Sequence, residues 1–251
     1  MKTLTIGEDF SLARNEFSFF SRDIRNKLKQ DASIVEYLEA FYHKLNSVAI
    51  LYDKCLQSLA ELESAVRDEM AQTNIVVMHK TMRYLIETST YFECFHHFLY
   101  SLFEALAHIT GYVYLDETRG ACPRQNFGHQ IIYFTVVERG RNADYTNLIE
   151  QSKSWIDPIL NNRHAFTHYF APFLGFDQDF SVIFEHRQPE VGSIDREKIF
   201  EPLRTYTVNT FSNLLTFLTD YVKVHRSRVP ESKETLMLRE ASRRGSYSDQ
   251  S

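Results

Sequence analysis

The most restrictive feature of this sequence is an amphipathic pattern from residue 34 to residue 66 that contains neither glycine nor proline. Apolar side chains recur at spacings of three and four, the period of an α-helix with one buried face. These positions are Ile34, Leu38, Phe41, Leu45, Val48, Tyr52, Cys55, Leu59, Leu62 and Val66. Ser33 and Glu36 form a capping-box match at its start. So long a helix needs other helices along its side, and the pattern therefore favours a helical bundle.

Three further segments share this helical period. Residues 9–29 form a first amphipathic pattern, and residues 199–226 form a last one with Pro202 near its beginning. The segment 73–110 is dense in aromatic residues and, from about residue 90 on, apolar nearly all round, which is typical of a helix buried on several sides. We expect it to be the central helix of the bundle and to end at Gly111, a residue type that favours helix C-termini.

The region after this helix is less regular. Residues 112–115 (YVYL) read as a strand, whereas 131–137 (IIYFTVV) fit either a strand or one short buried helix. Residues 181–187 (SVIFEHR) predict a strand that could pair with 112–115, and 143–152 predict a helix. The expected fold is therefore all-α, a helical bundle of long helices with a small β elaboration.

Three parts of the chain are distinguished by pattern. Residues 1–72 are expected to be N-terminal helices that pack on the bundle, and residues 73–228 are expected to be the main helical domain. Residues 229–251 are polar and rich in serine and arginine, so we predict a disordered tail.

Composition limits the possible partners. The chain of 251 residues is 43% hydrophobic and carries a net charge of −5, which argues against a generally basic nucleic-acid-binding surface but allows a local one. Three cysteines without C-x-x-C spacing indicate reduced thiols and no thiolate zinc site. The absence of a long apolar run or signal peptide predicts a cytoplasmic protein without membrane contact.

Polar chemistry is concentrated between Trp155 and Phe170, in the stretch WIDPILNNRHAFTHYF. Pro158 behind Asp157 suggests a helix from about 157 to 170, because proline suits the first helical position. One face of that helix is apolar and contains Ile156, Ile159, Leu160, Phe166 and Phe170. Arg163 falls in the middle of this face, and a guanidinium near a core needs a carboxylate, a carbonyl cluster or a bound anion. Glu93 and Glu104 are the candidate carboxylates.

A polar stripe runs beside the apolar face. It contains Asp157, Asn161, His164 and His168, spaced four, three and four residues apart. On an ideal helix Arg163 and His168 are about 140° apart. They therefore converge only if the arginine reaches round, if the helix loosens near Tyr169, or if a second chain completes the site. Asn162 and Tyr169 adjoin this constellation and complete the set of candidate binding residues.

The sequence RHAFTH, with Arg163, His164 and His168, resembles the R-x4-6-H signature of the HEPN superfamily of helical domains, which includes many ribonucleases. The similarity covers roughly residues 74 to 226, with an aromatic-rich helix, a connecting region, the motif and a closing helix. A second match, Arg124 to His129, lies among glycine and proline in a predicted loop. Helical context therefore favours the Arg163 copy.

The resemblance implies metal-independent RNA cleavage through the 2′-OH, without a cofactor. His168 would be the base, Arg163 would hold the phosphate, and His164 would orient the phosphate or act as the acid. HEPN ribonucleases commonly join two motifs across a homodimer, and many belong to toxin–antitoxin or phage-defence systems. RNA, a second copy and an antitoxin are thus the partners implied, and DNA is not expected.

Two other interpretations of the same residues remain open. Arg163 could be a buried arginine paired with Glu93 or Glu104 in a non-catalytic dimerisation or interaction protein. His164 and His168 also have the i, i+4 spacing of helical zinc ligands, but Ala165 replaces the glutamate of H-E-x-x-H and no third ligand is evident. No metal is therefore expected.

Overall fold

The protein is described by a computed structural model that covers residues 3–28, 32–73, 78–115, 121–139, 142–168, 174–187 and 198–248. At the level of side chains it covers 7–28, 32–71, 81–115, 121–139, 142–161, 174–184 and 200–241. Within these ranges the fold is all-α with one small antiparallel sheet, as the sequence predicts.

The elements follow in chain order. The helices are α1 (Thr3–Lys27), α2 (Ala32–Thr73), α3 (Met78–Val113), α4 (Phe127–Ile132), which continues into a π-helical turn (Tyr133–Val137), α5 (Ala143–His168), α6 (Leu203–His225) and α7 (Lys233–Ser248). The strands are β1 (Leu174–Phe176), β2 (Val182–Arg187) and β3 (Lys198–Pro202), paired in the order β1-β2-β3. The amphipathic period in the sequence thus predicted the long helices correctly.

The chain forms two compact units that interleave in sequence. The terminal unit contains Met1–Ala40, Glu104–Gln151 and Leu214–Ser251. The central unit contains Phe41–Phe103 and Ser152–Asn213. The boundaries expected at 72/73 and 228/229 stay a prediction. No helix in the described ranges is both long and apolar enough to cross a membrane.

The core of the central unit joins three helices to the sheet. Its buried side chains are Cys55, Leu59, Leu62, Val66, Phe92, Val182, Phe184, Leu203 and Tyr206. Glu63 stands at the edge of this core, where its carboxylate accepts hydrogen bonds from Arg204 Nη2 at 3.1 Å and from the backbone N–H of Val182 at 3.5 Å. One buried acid thus ties α2 to β2 and to the first turn of α6.

The sheet differs from the one expected. Val182–Arg187 is a strand, as predicted, but it pairs with Leu174–Phe176 and Lys198–Pro202. Asp177 Oδ1 accepts the N–H groups of Asp179 and Ser181, and this Asx turn makes the β1–β2 connection. The predicted strand at 112–115 is wrong, because Tyr112 and Val113 continue α3.

Two helix boundaries also differ from expectation. Gly111 lies inside α3 and not after its end, and a β-carbon there would come within 2.4 Å of Arg124 Cγ. Glycine is therefore explained by close packing of the Arg124 side chain. The predicted helix from 199 is wrong at its start: residues 198–202 form β3, and α6 begins only after Pro202. The segment 131–137 takes the helical alternative.

The predicted disordered tail is also wrong, because Lys233–Ser248 forms helix α7. Asp23 of α1 is 3% exposed and accepts hydrogen bonds from Thr235 Oγ1 at 2.7 Å and Ser232 N at 3.1 Å. Arg226 makes an ion pair with the same carboxylate at 2.7 Å. A polar segment can therefore be ordered here, since Ser232 caps the first turn of α7 and the buried carboxylate of Asp23 binds both Ser232 and Thr235.

Replacing Asp23 with alanine should lower the free energy of unfolding by about 3 kcal/mol, because Arg226 and two donors lose a buried acceptor. Urea denaturation measures the change. Asp220→Ala is the matched control: its ion pair with Lys223 is exposed, and its loss should cost less than about 1 kcal/mol. Equal effects of the two substitutions would contradict the role given to Asp23.

A buried histidine in the terminal unit gives a pH prediction. His225 is fully buried among Tyr145, Tyr221 and Phe20, and its Nδ1–H donates to the carbonyl of Tyr221 at 2.7 Å. Desolvation by burial lowers the pKa of His225 to about 3; that hydrogen bond opposes the decrease, and the charge of Arg228 adds to it.

Below pH 6.5 the unfolded chain therefore binds a proton that folded His225 does not. The buried neutral His225 therefore contributes fully to the free energy of unfolding above pH 6.5. As the pH falls below this value, the free energy of unfolding decreases by about 1.4 kcal/mol per pH unit. Unfolding curves between pH 7 and 5 should show this slope, and His225→Leu should flatten it. An unchanged slope in the variant would exclude His225 as its source.

Candidate functional site

The motif lies near the C-terminal end of one long helix. Helix α5 runs without a break from Ala143 to His168, so the predicted helix start at Pro158 is wrong. Pro158 lies in its interior and is buried. An interior proline removes a helical N–H and costs about 3 kcal/mol relative to alanine. Burial of the neighbouring residues on this side offsets that cost.

Burial confirms the apolar face of α5 as far as side chains are described. Ile156 and Ile159 are both fully buried, and Leu160 is half-buried. Position 163 follows Ile156 by seven residues and Ile159 by four, so helical spacing puts it in the same stripe. The side chains of Arg163, His164, His168 and Asn162 lie outside the described residues, as does Tyr169 entirely.

The described part of the polar stripe is less buried. Asp157 is half-buried and forms an i, i+4 ion pair with Lys153 at 3.7 Å between Oδ2 and Nζ. Desolvation raises the pKa of Asp157, and Lys153 opposes this increase. Asn161 is exposed. Asp157 therefore lies within the helix as part of an ion pair, and it is not the N-terminal cap.

The two glutamates proposed for Arg163 both have other contacts. Glu93 Oε1 is 3.6 Å from His97 Nε2, one turn along α3. Glu104 Oε1 accepts the backbone N–H of Phe127 at 3.3 Å. Glu93 belongs to the central unit with residues 152–168, whereas Glu104 belongs to the terminal unit. Pairing of either carboxylate with Arg163 stays a prediction.

The second motif copy does not form a comparable arrangement. Arg124 lies in a non-helical segment, as predicted, with its guanidinium 5.0 Å from the ring centre of Tyr112. The side chain of His129 is exposed, and the backbone N–H of His129 donates to Oδ1 of Asn126 at 2.9 Å as part of the α4 cap. Arg124 and His129 are thus explained by local packing and capping.

A histidine outside both motifs lies beside Arg124. The ring of His108 stacks on Tyr37 with a centroid distance of 3.9 Å and an interplanar angle of 8°. Burial lowers the pKa of His108, Glu104 opposes the shift, and the nearby Arg124 adds to it. His108 is not among the residues selected from the sequence, because its neighbours Tyr37 and Arg124 belong to other segments of the chain.

The central unit also contains a groove that was not predicted from the sequence. The groove has a volume of about 150 Å³ and is formed by α5, β3 and α6. Its lining residues are Ser154, Trp155, Pro158, Glu201, Tyr206, Asn209, Thr210 and Asn213. No pattern in the sequence marks it, because Asn209 and Asn213 stand four residues apart in a helix that carries many other polar residues.

Comparison with known proteins adds no family assignment. No family model, curated protein or solved structure matches the chain.

Pro158 permits a direct test of the helix described above. Pro158→Ala restores the missing N–H and should increase the free energy of unfolding by about 1–2 kcal/mol, after allowing for the lost contacts of the buried ring. Thermal unfolding should show an increase in Tm of roughly 2–4 °C for each kcal/mol. A lower Tm would mean that packing of the proline ring outweighs the helical defect.

Proposed function

We propose that this protein is a metal-independent endoribonuclease of the HEPN type, with Arg163, His164 and His168 as its active residues. The observation that supports this proposal is the unbroken course of α5 through residue 168. The fully buried Ile156 and Ile159 fix the phase of this helix. Position 163 therefore follows the buried stripe, while 164 and 168 stand one turn apart beside it.

The chemistry uses the nucleophile that RNA itself carries. His168 accepts the proton of the 2′-OH, and the resulting oxygen attacks the adjacent phosphorus. The bond from phosphorus to the 5′-oxygen breaks, and His164 returns a proton to that oxygen. The products are a 2′,3′-cyclic phosphate and a 5′-hydroxyl, so atoms and charge balance without metal or water in this step.

In this scheme Arg163 binds the phosphate. Its planar guanidinium offers paired donors to two phosphate oxygens and remains charged at every relevant pH. A cation on the stripe of Ile156 and Ile159 is costly unless an anion meets it, and the RNA backbone provides that anion. Asn161 and Asn162, on the same turn, are proposed to assist in binding the strand.

The proposed enzyme acts as a homodimer. Arg163 and His168 are about 140° apart around one helix, so a second copy would bring the histidine of one chain to the arginine of the other. The same proposal includes a cytoplasmic toxin or phage-defence role, in which an antitoxin would restrain the nuclease. These settings follow from the family resemblance.

His168→Ala should abolish RNA cleavage by the purified protein, because no other residue in the scheme removes the 2′-OH proton. The melting temperature should change by less than about 2 °C, since the residue belongs to the polar stripe. Gel electrophoresis of a labelled RNA, with and without chelator, measures the activity. Chelator should have no effect on the wild type.

The chain supplies a matched control for this experiment. His129 is the histidine of the second motif copy and is exposed, so His129→Ala should cleave RNA at the wild-type rate. Retained cleavage in His168→Ala would refute the assignment of the base. Failure of the wild type to cut any RNA would favour the non-catalytic interaction protein.

A further inference from the structure

The groove of the central unit has the size of a site for one small planar group. Its volume of about 150 Å³ lies below the roughly 300–1,000 Å³ of sites for drug-sized ligands. One wall comes from α5, through Ser154, Trp155 and Pro158. The other wall comes from Glu201 at the end of β3 and from the side of α6 that carries Asn209 and Asn213. The groove therefore suits a single ring system and not an extended chain.

Two aromatic side chains line this groove, and both are held by neighbours. Trp155 is half-buried and contacts Phe103 at a centroid distance of 5.8 Å with an angle of 50°. Tyr206 stacks on His96 at 5.4 Å and 14°. Tyr206 is 7% exposed, so the half-buried indole of Trp155 is the ring on which a planar heterocycle can stack, and a ring that is already fixed costs little entropy when a ligand binds.

Two amides face the same groove. Asn209 and Asn213 are both exposed, one turn apart on α6. Neither side chain makes a hydrogen bond within the ranges that the structure covers, so both remain available to a ligand. An asparagine amide presents a donor and an acceptor side by side, which matches the edge of a nucleobase.

The described lining offers no cation to a phosphate, because no lysine or arginine is among the eight described residues of the groove. A phosphate is usually held by such cations, whereas a neutral ring can be held by amide and hydroxyl groups. The charge therefore favours an uncharged base over its backbone.

The groove also lies close to the motif along α5. Trp155 precedes Arg163 by eight residues, which corresponds to a rise of about 12 Å along the helix axis. A base held at Trp155 could thus belong to a nucleotide near the one whose phosphate meets Arg163. Unpaired RNA is commonly read in this way, by stacking on aromatic rings and by hydrogen bonds to base edges.

We infer that this groove binds one unpaired nucleobase of the RNA substrate and so sets the position of cleavage, an inference that rests on the proposed function. Trp155 provides the stacking surface, and the buried Tyr206 closes the groove on the side of the core. Asn209 and Asn213 read the edge of the base. The substrate is therefore single-stranded RNA at this position.

Trp155 makes the inference directly measurable, because it is the only tryptophan of the chain. The probes are short 2′-O-methyl oligonucleotides, which lack the 2′-OH nucleophile and cannot be cleaved by the proposed chemistry. Their addition should quench Trp155 emission saturably, because a base stacks on the indole. Inorganic phosphate and ribose 5-phosphate should leave the emission unchanged. Removal of single bases along the oligonucleotide should identify one position at which affinity falls.

The asparagines provide the variants. Asn209→Ala and Asn213→Ala should each weaken oligonucleotide binding about tenfold, the usual loss for an amide contact to a base edge. Asn147→Ala is the matched control, because Asn147 is an exposed asparagine of α5 that does not line the groove, and its binding should equal the wild type. All three residues are exposed, so their melting temperatures should stay close to that of the wild type.

The two proposals can fail separately in this experiment. Cleavage of RNA without quenching, or with wild-type binding by both asparagine variants, would overturn the base-binding groove and leave the nuclease in place. Saturable quenching that the asparagine variants weaken, in a protein that cleaves no RNA, would support the groove and overturn the nuclease. Equal quenching by ribose 5-phosphate would show that the groove binds backbone and would also overturn the inference.

Discussion

Burial of one side of α5 is the constraint on which the candidate site depends. Ile156, Pro158 and Ile159 are all buried, and their contacts hold the helix in one rotational setting although the proline removes a backbone hydrogen bond. That setting decides which positions are buried and which are exposed as far as residue 161, the last described side chain of α5. It also places Trp155 and Pro158 on the wall of the groove. The proposed catalytic stripe and the proposed base site therefore share one structural cause.

The opposite wall of the groove depends on a different interaction. Glu63 binds Arg204 and the backbone of Val182, and so connects α2 to the sheet and to the beginning of α6. Phe184 and Tyr206 then pack in the same core, with ring centres 5.2 Å apart. Asn209 and Asn213 lie about one and two turns beyond Tyr206, so their exposure follows from how that core orients the helix. A polar contact at the core edge thus governs a surface that the proposal assigns to RNA.

The two R-x4-6-H matches show why context matters more than spacing. Both satisfy the same pattern in sequence, yet Arg124 contacts Tyr112 and His129 takes part in the cap of α4. Position 163 instead continues a stripe of fully buried residues on a regular helix. The helical context of position 163 therefore distinguishes the two copies, which the spacing alone does not. That comparison supports the choice of Arg163 over Arg124, and the enzymatic role itself remains a proposal.

The sequence by itself determined the long helices, the strand at 182–187 and the burial of Ile156 and Ile159 in α5, because each depends on a local period of apolar residues. Only the tertiary structure decided that α7 is ordered, since its polar sequence is held by the distant carboxylate of Asp23. It likewise decided that Pro158 lies inside a helix and that Gly111 does not end one, because packing outweighs local preference at both places. The groove could not be predicted either, because its walls come from residues 154–158 and 201–213. The apolar period of a helix does not tell which faces of distant segments meet in the fold.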